Sequence, residues 1–284
     1  MFELKKVKEI VLATLITDSY CLGSHWIYDE KQLKNLNIDW NELNNACSVW
    51  HKGKIAGEFT HYGDHTYWLY EFIKQNDTFD EKEYAKYWLK KMDSYNGYID
   101  SSSRNSIEKL KEGLVEGSSS SDFSIVGRIP SLLFVSKDKN EFFSNVEKFT
   151  KLTHNSYESL AASSFFAKLL IKVLEGEDIS NAITSLKESS PKDIQKYIKS
   201  AFSSINDDTF ETIRQNGPAC DTKESFPSVL HLLLKYKSLK ELLINNAKAG
   251  GDSSARGMVA SMIFVAKNGI NSLPISWSKI KVII

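Results

Sequence analysis

An all-α fold is what this sequence predicts, and three observations predict it. Apolar residues recur at helical spacing along most of the chain. Helix starts and stops are marked by Asp, Ser, Pro and Asn-Gly. No apolar stretch alternates far enough to make a strand, and the segments IVGRI and KIKVII come nearest.

Element by element, Val7, Ile10, Val11, Leu15 and Ile16 form one face of a first helix. The polar run from Thr60 to Thr66 precedes an apolar helix, YWLYEFIK. Asp80 is the expected N-cap of a helix whose Tyr84, Tyr87, Trp88 and Met92 make one stripe. The serine-rich stretch from Gly117 to Asp122 reads as a loop. Glu158 to Leu174 reads as a buried helix. Ser180 and Pro191 each open another. Pro227 opens SVLHLLLKYK, and Ser238 caps LKELLINNAK. A last long helix runs from Ser253 to Lys267 and stops at Asn268-Gly269. The helical pattern continues on both sides of the serine loop and no internal repeat appears, so a single domain over 1–284 is expected.

The 284 residues carry 36 Lys+Arg against 36 Asp+Glu, a formal net charge of zero. That excludes a nucleic-acid binder held by bulk charge. With 42% hydrophobic and 25% charged residues, the chain has the composition of a globular protein that buries a core without staples. Cys21, Cys47 and Cys220 are too few and scattered for a disulfide framework, so each reads as a buried thiol. The N-terminus lacks a signal-peptide pattern, and no apolar run approaches the ~20 residues that span a bilayer. A cytoplasmic protein without a membrane partner is the expectation; oligomeric state is not legible.

Chemistry-bearing residues gather in short segments. Thr60-His61-Tyr62-Gly63-Asp64-His65-Thr66 places Asp64 at a helix start, where an acid serves either as a cap or as a carboxylate offered to a cleft. His61 and His65 are four apart, but no third ligand at zinc spacing follows them. Gly250-Gly251-Asp252-Ser253-Ser254-Ala255-Arg256 opens the last helix. Its glycines allow close backbone approach, and its Arg suits an anion. In the serine loop, Ser119, Ser120, Ser121 and Asp122 lead to Arg128 and Pro130. Hydroxyls and loose backbone there suit a phosphate, although the segment alone reads better as a solvent loop with Arg128 on the surface. His154, in Thr153-His154-Asn155, reads more readily as a cap or core residue than as a ligand. Trp26, in the turn Gly23 to Asp29, is placed either to stack on a base or ribose or to fill core.

In this order, the segments resemble the ADP-ribosylglycohydrolase family, in its J1-crystallin-like branch. The resemblance rests on Asp18 with HWIYD, THYGDHT, GYID, SSSDFSIVGRIP, THN, AGGDSSARG and LPISW, and it covers nearly the whole chain. It implies an all-α fold and an activity that cleaves the glycosidic bond of ADP-ribosyl adducts, with two magnesium ions between two acidic motifs. Asp64 and Asp252 match ligand positions of that pattern. Four other positions depart from it: Gly63 stands for a hydroxyl residue, His65 and Ser254 for Asp, and Ala255 for Thr. Two carboxylates balance two divalent ions poorly, and imidazole is a poor magnesium ligand, so one magnesium ion or none is expected.

The resemblance therefore implies a hydrolase of ADP-ribosyl or related conjugates. Asp64, Asp252, His65 and His61 would serve catalysis. Ser119 to Ser121, Asp122, Arg128, His154, Gly250, Gly251, Arg256 and Trp26 would hold the ligand. The alternatives are a binder of ADP-ribose or a nucleotide that no longer cleaves it, and a crystallin-like structural protein. Both functional readings require Asp64 and Asp252 to meet in one cavity lined by imidazoles and guanidinium.

Overall fold

A computed structural model describes residues 2–284. Among them there are thirteen α-helices and no named strand. The helices are α1 (Leu4–Cys21), α2 (Glu30–Asn35), α3 (His61–Asn76), α4 (Glu81–Asp93), α5 (Ser101–Lys111), α6 (Lys139–Lys151) and α7 (Tyr157–Leu174). They continue with α8 (Ile179–Lys187), α9 (Lys192–Ser203), α10 (Thr209–Asn216), α11 (Thr222–Lys235), α12 (Leu239–Lys248) and α13 (Ser253–Asn268). A 3-10 segment, Phe123–Phe134, links the serine loop to α6.

Side-chain caps start most of these helices. Asp80 accepts from the amides of Lys82 and Glu83, as its position predicts, and Ser238 accepts from Glu241. Three starts differ from expectation, the first being α3, which begins at His61, inside the polar run rather than after it. Asp178 rather than Ser180 caps α8, because its carboxylate takes the free amides of Ser180 and Asn181. Asp221 caps α11, so that helix begins before Pro227, which lies inside it. The last helix stops where Gly269 takes a positive φ.

The centre of the fold is the pair α1 and α13, crossed by the 3-10 segment and flanked by α3, α7 and α11. Close approach is built into the glycines. A Cβ on Gly257 would lie 2.8 Å from Thr17, and one on Gly127 2.8 Å from Met258. Around this pair, one apolar cluster runs from Val7 through Phe123, Phe166 and Met258 to Trp277.

Neither segment that came nearest to a strand is one. IVGRI lies within the 3-10 segment, which Asp122 opens by accepting the Ser124 amide at 2.8 Å. KIKVII has no regular structure; the Lys281 amide reaches Gly57 O at 2.9 Å, while Val282 and Ile284 pack against Val11, Leu15 and Phe59. Of the three cysteines only Cys21 is buried; Cys47 and Cys220 are partly exposed, and all are free thiols. No helix of the described residues is long and apolar enough to cross a membrane.

Candidate functional site

The site starts from a carboxylate on the last turn of α1. Asp18 is fully buried. Its Oδ1 accepts from the Thr60 hydroxyl at 2.6 Å and from the Ser254 hydroxyl. Its Oδ2 accepts from the Thr60 amide at 2.8 Å. Thr60 is also the N-cap of α3, accepting from the Tyr62 amide at 3.1 Å. One carboxylate thus ties the start of α3 to the start of α13. Burial pushes its pKa up to about 6, although the hydroxyl donors pull the other way. Gly63 is required here, because a Cβ would sit 2.3 Å from Asp18 Oδ2.

Around this hub lie five of the six histidines. His51 Nε2 faces His61 Nδ1 at 3.2 Å, and His61 Nε2 lies 3.4 Å from Asp100 Oδ2. His25 Nδ1 lies 3.5 Å from Asp252 Oδ1. The His65 Nδ1 meets Arg128 Nη1 at 3.1 Å, and the His154 Nδ1 meets the Thr153 hydroxyl at 2.8 Å. Burial lowers the pKa of His25, His51, His65 and His154. His51 and His154 fall to about 3, and His25 and His65 fall well below the ordinary value. Neighbouring imidazoles add to this at His25 and His51, and Arg128 adds to it at His65 and His154. These four are therefore neutral at pH 7. Asp100 behaves in the opposite way: burial raises it, but His61 and Ser103 outweigh burial and hold it well below the carboxylate range.

Trp26 covers this group. Its ring centroid lies 4.9 Å from His25, 5.1 Å from His61 and 5.2 Å from Tyr98. Trp26 has φ of 59°, a strained value for a bulky residue. The strain is held by a clip: the Trp26 amide donates to Gly251 O at 2.7 Å, and the Gly251 amide donates to Ile27 O at 2.8 Å.

The glycine pair serves this same clip. Gly250 and Gly251 both have positive φ, and their missing side chains make room for Ile27 O and Pro218 O, which a Cβ would approach to 2.4 and 2.1 Å. The close approach is to the protein's own backbone. Arg256 completes the turn, giving Nε to Asn246, Nη1 to Pro218 O and Nη2 to Gly250 O at 3.0, 3.2 and 2.5 Å. Its guanidinium is buried and spent on protein acceptors. Asp252 sits at the N-cap position of α13 yet makes no capping bond, and neither carboxylate oxygen has a hydrogen-bond partner. Burial, with the like charge of Asp122 beside it, pushes its pKa well above the ordinary value.

In the serine loop, Ser119 is exposed, and Ser120 and Ser121 are partly so. Ser120 accepts the Asp122 amide, and Ser121 O accepts both donors of Thr222. Asp122 accepts the Tyr62 hydroxyl at 3.5 Å. Arg128 is buried, donates to Ser124 at 2.8 Å, lies over the Tyr62 ring, and keeps Nε unpaired. Asp64 stands apart. Its Oδ2 takes the Lys54 ammonium at 2.8 Å and the Tyr95 hydroxyl at 2.6 Å. It does not cap α3, and it and Asp252 share no partner. Their link runs through Asp18, which feels the charge of Asp64 and accepts from Ser254 two residues beyond Asp252.

With this geometry, a comparison of sequences decides the family. The ADP-ribosylglycohydrolase profile matches residues 3–281. This chain belongs to the ADP-ribosylglycohydrolase family. Crystallin J1A of Tripedalia cystophora is 21% identical over 292 residues, covering 96% of this chain and 90% of the crystallin. Crystallin J1B of the same animal is 20% identical with the same coverage. A solved ADP-ribosylglycohydrolase-related protein complex superposes with a TM-score of 0.68 at 16% identity, over 96% of this chain and 92% of that one. At that identity the likeness shows the fold alone.

The two-magnesium centre implied by the ADP-ribosylglycohydrolase resemblance does not fit these residues. Magnesium needs several oxygen ligands in near-octahedral array. Here Gly63 offers none, Asp64 Oδ2 is taken twice, His65 faces a guanidinium, and Ser254 is spent on Asp18. Among the described residues no group of three His, Cys, Asp or Glu is placed to hold a metal ion.

Several members of the cluster were invisible as such in the sequence. His51 and Lys54 lie in segments without helical pattern, where only proximity in the fold gives them meaning. Tyr95 to Asp100 reads as an aromatic turn with one acid, and the structure makes that acid both the cap of α5 and the neighbour of His61.

Proposed function

We propose that the buried cluster binds an ADP-ribosyl or related N- or O-glycosyl compound and cleaves its glycosidic bond without a two-metal centre. One observation carries this reading. Asp252 Oδ1 and Oδ2, Nε2 of His25, His61, His65 and His154, and Trp26 Nε1 are all buried without a hydrogen-bond partner. Buried polar atoms are nearly always paired, so seven orphans in one neighbourhood mark a place made for polar guest atoms.

The charge states suit glycosidic cleavage. Asp252, kept protonated by burial, donates its proton to the leaving group as the glycosidic bond breaks. A neutral imidazole takes a proton from the water that adds to the sugar carbon. Arg128, with Nε free, meets a phosphate; Trp26 stacks on a ring. The serine loop borders the ligand, and the Gly250-Gly251 turn serves the site by holding Trp26 in place. Incubation of the full chain with a panel of ADP-ribosylated proteins and small conjugates, with and without divalent ions, tests the reading by release of ADP-ribose. No release from any of them removes it.

Binding without cleavage is the second reading, favoured by the enclosure of the cluster and by the crystallin names of the two relatives. Saturable ADP-ribose binding with no release supports it. Absence of both leaves a structural role.

A further inference from the structure

The one charged pair at the first motif is unusual in where its cation comes from. Lys54 lies in the loop after the 3-10 turn Val49–His51, and both of its backbone groups are fixed. Its amide donates to His51 O at 3.0 Å, and its carbonyl accepts the Ala46 amide at 3.1 Å. From this anchored position the side chain runs to Asp64 Oδ2 at 2.8 Å, with 24% of its surface and 17% of Asp64's left exposed. Tyr95 donates to the same oxygen at 2.6 Å. With an ammonium and a phenol on it, Oδ2 has no lone pair left for an ion, and an ion at Oδ1 would meet the lysine's charge on the same carboxylate. The neighbouring position is closed as well, since any side chain on Gly63 would run into Asp18.

We propose that the Lys54 ammonium is a built-in cation of this site. It pairs with Asp64, takes the place a divalent ion would need, and makes the site indifferent to such ions. A tethered charge does not exchange and needs no open coordination shell. Lysine suits the task as a compact point charge with three donors, one of which Asp64 uses. The proposal concerns cation binding and does not depend on the identity of the ligand or on turnover.

The test uses the full chain without substrate. Titration of the wild type with manganese chloride, followed by calorimetry and water-proton relaxation, is expected to show no saturable uptake into the millimolar range. Lys54→Met keeps the aliphatic stem and removes the charge. It is expected to melt at lower temperature and to recover part of the loss with manganese. Lys54→Arg melts near the wild type, and K54M/D64N shows no recovery. Saturable manganese binding by the wild type that Asp64→Asn abolishes overturns the proposal, because the ion then displaces the lysine. A folded Lys54→Met chain indifferent to manganese overturns it as well. Should Lys54→Met fail to fold, the wild-type and Asp64→Asn titrations still decide.

Discussion

Thr60 grips Asp18 twice, with its hydroxyl at 2.6 Å on one carboxylate oxygen and its amide at 2.8 Å on the other. The grip is completed from α13 by the Ser254 hydroxyl, so three buried donors depend on one acid. Asp18→Ala leaves all three unsatisfied and is expected to cost about 3 kcal/mol or more. Thr60→Ser, which keeps both donors, stays within about 1 kcal/mol of the wild type. Urea denaturation measures both, and equal losses for the two variants would contradict the assignment.

Gly63 is glycine for room rather than for backbone freedom. Gly63→Ala brings a Cβ to 2.3 Å from Asp18 Oδ2 and 2.8 Å from Phe59 Cβ. Overpacking of this kind costs roughly 1–3 kcal/mol, even though alanine is the better helix former. A Gly63→Ala chain as stable as the wild type in the same assay refutes the account.

Arg256 works as a fastener. Arg256→Ala strands Asn246, Pro218 O and Gly250 O and loosens the turn that positions Asp252 and Trp26. A loss of about 3 kcal/mol or more is expected, since bonds to a charged group are worth more than neutral ones. Arg128→Ala should instead weaken ADP-ribose binding more than it weakens the fold. Calorimetry beside thermal melts separates the two arginines.

Asp252 presents the reverse case. Its carboxyl is already uncharged and partnerless, so Asp252→Asn should leave stability within about 1 kcal/mol or raise it. Release of ADP-ribose should fall roughly a hundredfold or more with the proton donor gone. Unchanged release by the variant would eliminate Asp252 as the acid.

The pH dependence has two opposing parts. The imidazoles of His51 and His154 are held at about 3, so their contribution is complete above the unfolded value of 6.5 and is lost as pH falls through that window. His51→Gln should flatten the stability profile there by one proton, about 1.4 kcal/mol per pH unit. Asp18, raised from 3.8 to about 6, contributes with the opposite sign: its share is present below 3.8 and is lost as pH rises to 6. Asp18→Asn should therefore steepen the profile between these values. Denaturation at half-unit pH intervals reads both slopes.

Much of the helical scaffold is legible in the sequence, because capping acids and 3.6-residue periodicity are local signals. The start of α4 at Asp80 follows from such signals alone. Pro227 misleads, since proline suggests a first turn and the Asp221 cap six residues earlier is the stronger start of α11. IVGRI misleads because a short apolar run without alternation fits a strand and a tight helix equally well. Arg256 beside two glycines has the look of an anion site, and only the fold reveals that carbonyls consume it. The Lys54–Asp64 pair escapes any reading of the sequence, for a lysine in an irregular loop carries no pattern.

Asp18 and Ser254 stand 236 residues apart, on the helices that form the middle of the molecule. During synthesis, α1 leaves the ribosome first and must wait for nearly the entire chain before α13 can cover it. Most of the histidines and tryptophans emerge early, while the floor they rest on arrives late. A shortened or stalled product ending before α13 would expose the apolar flank of α1, the sort of surface that invites chaperones and aggregation.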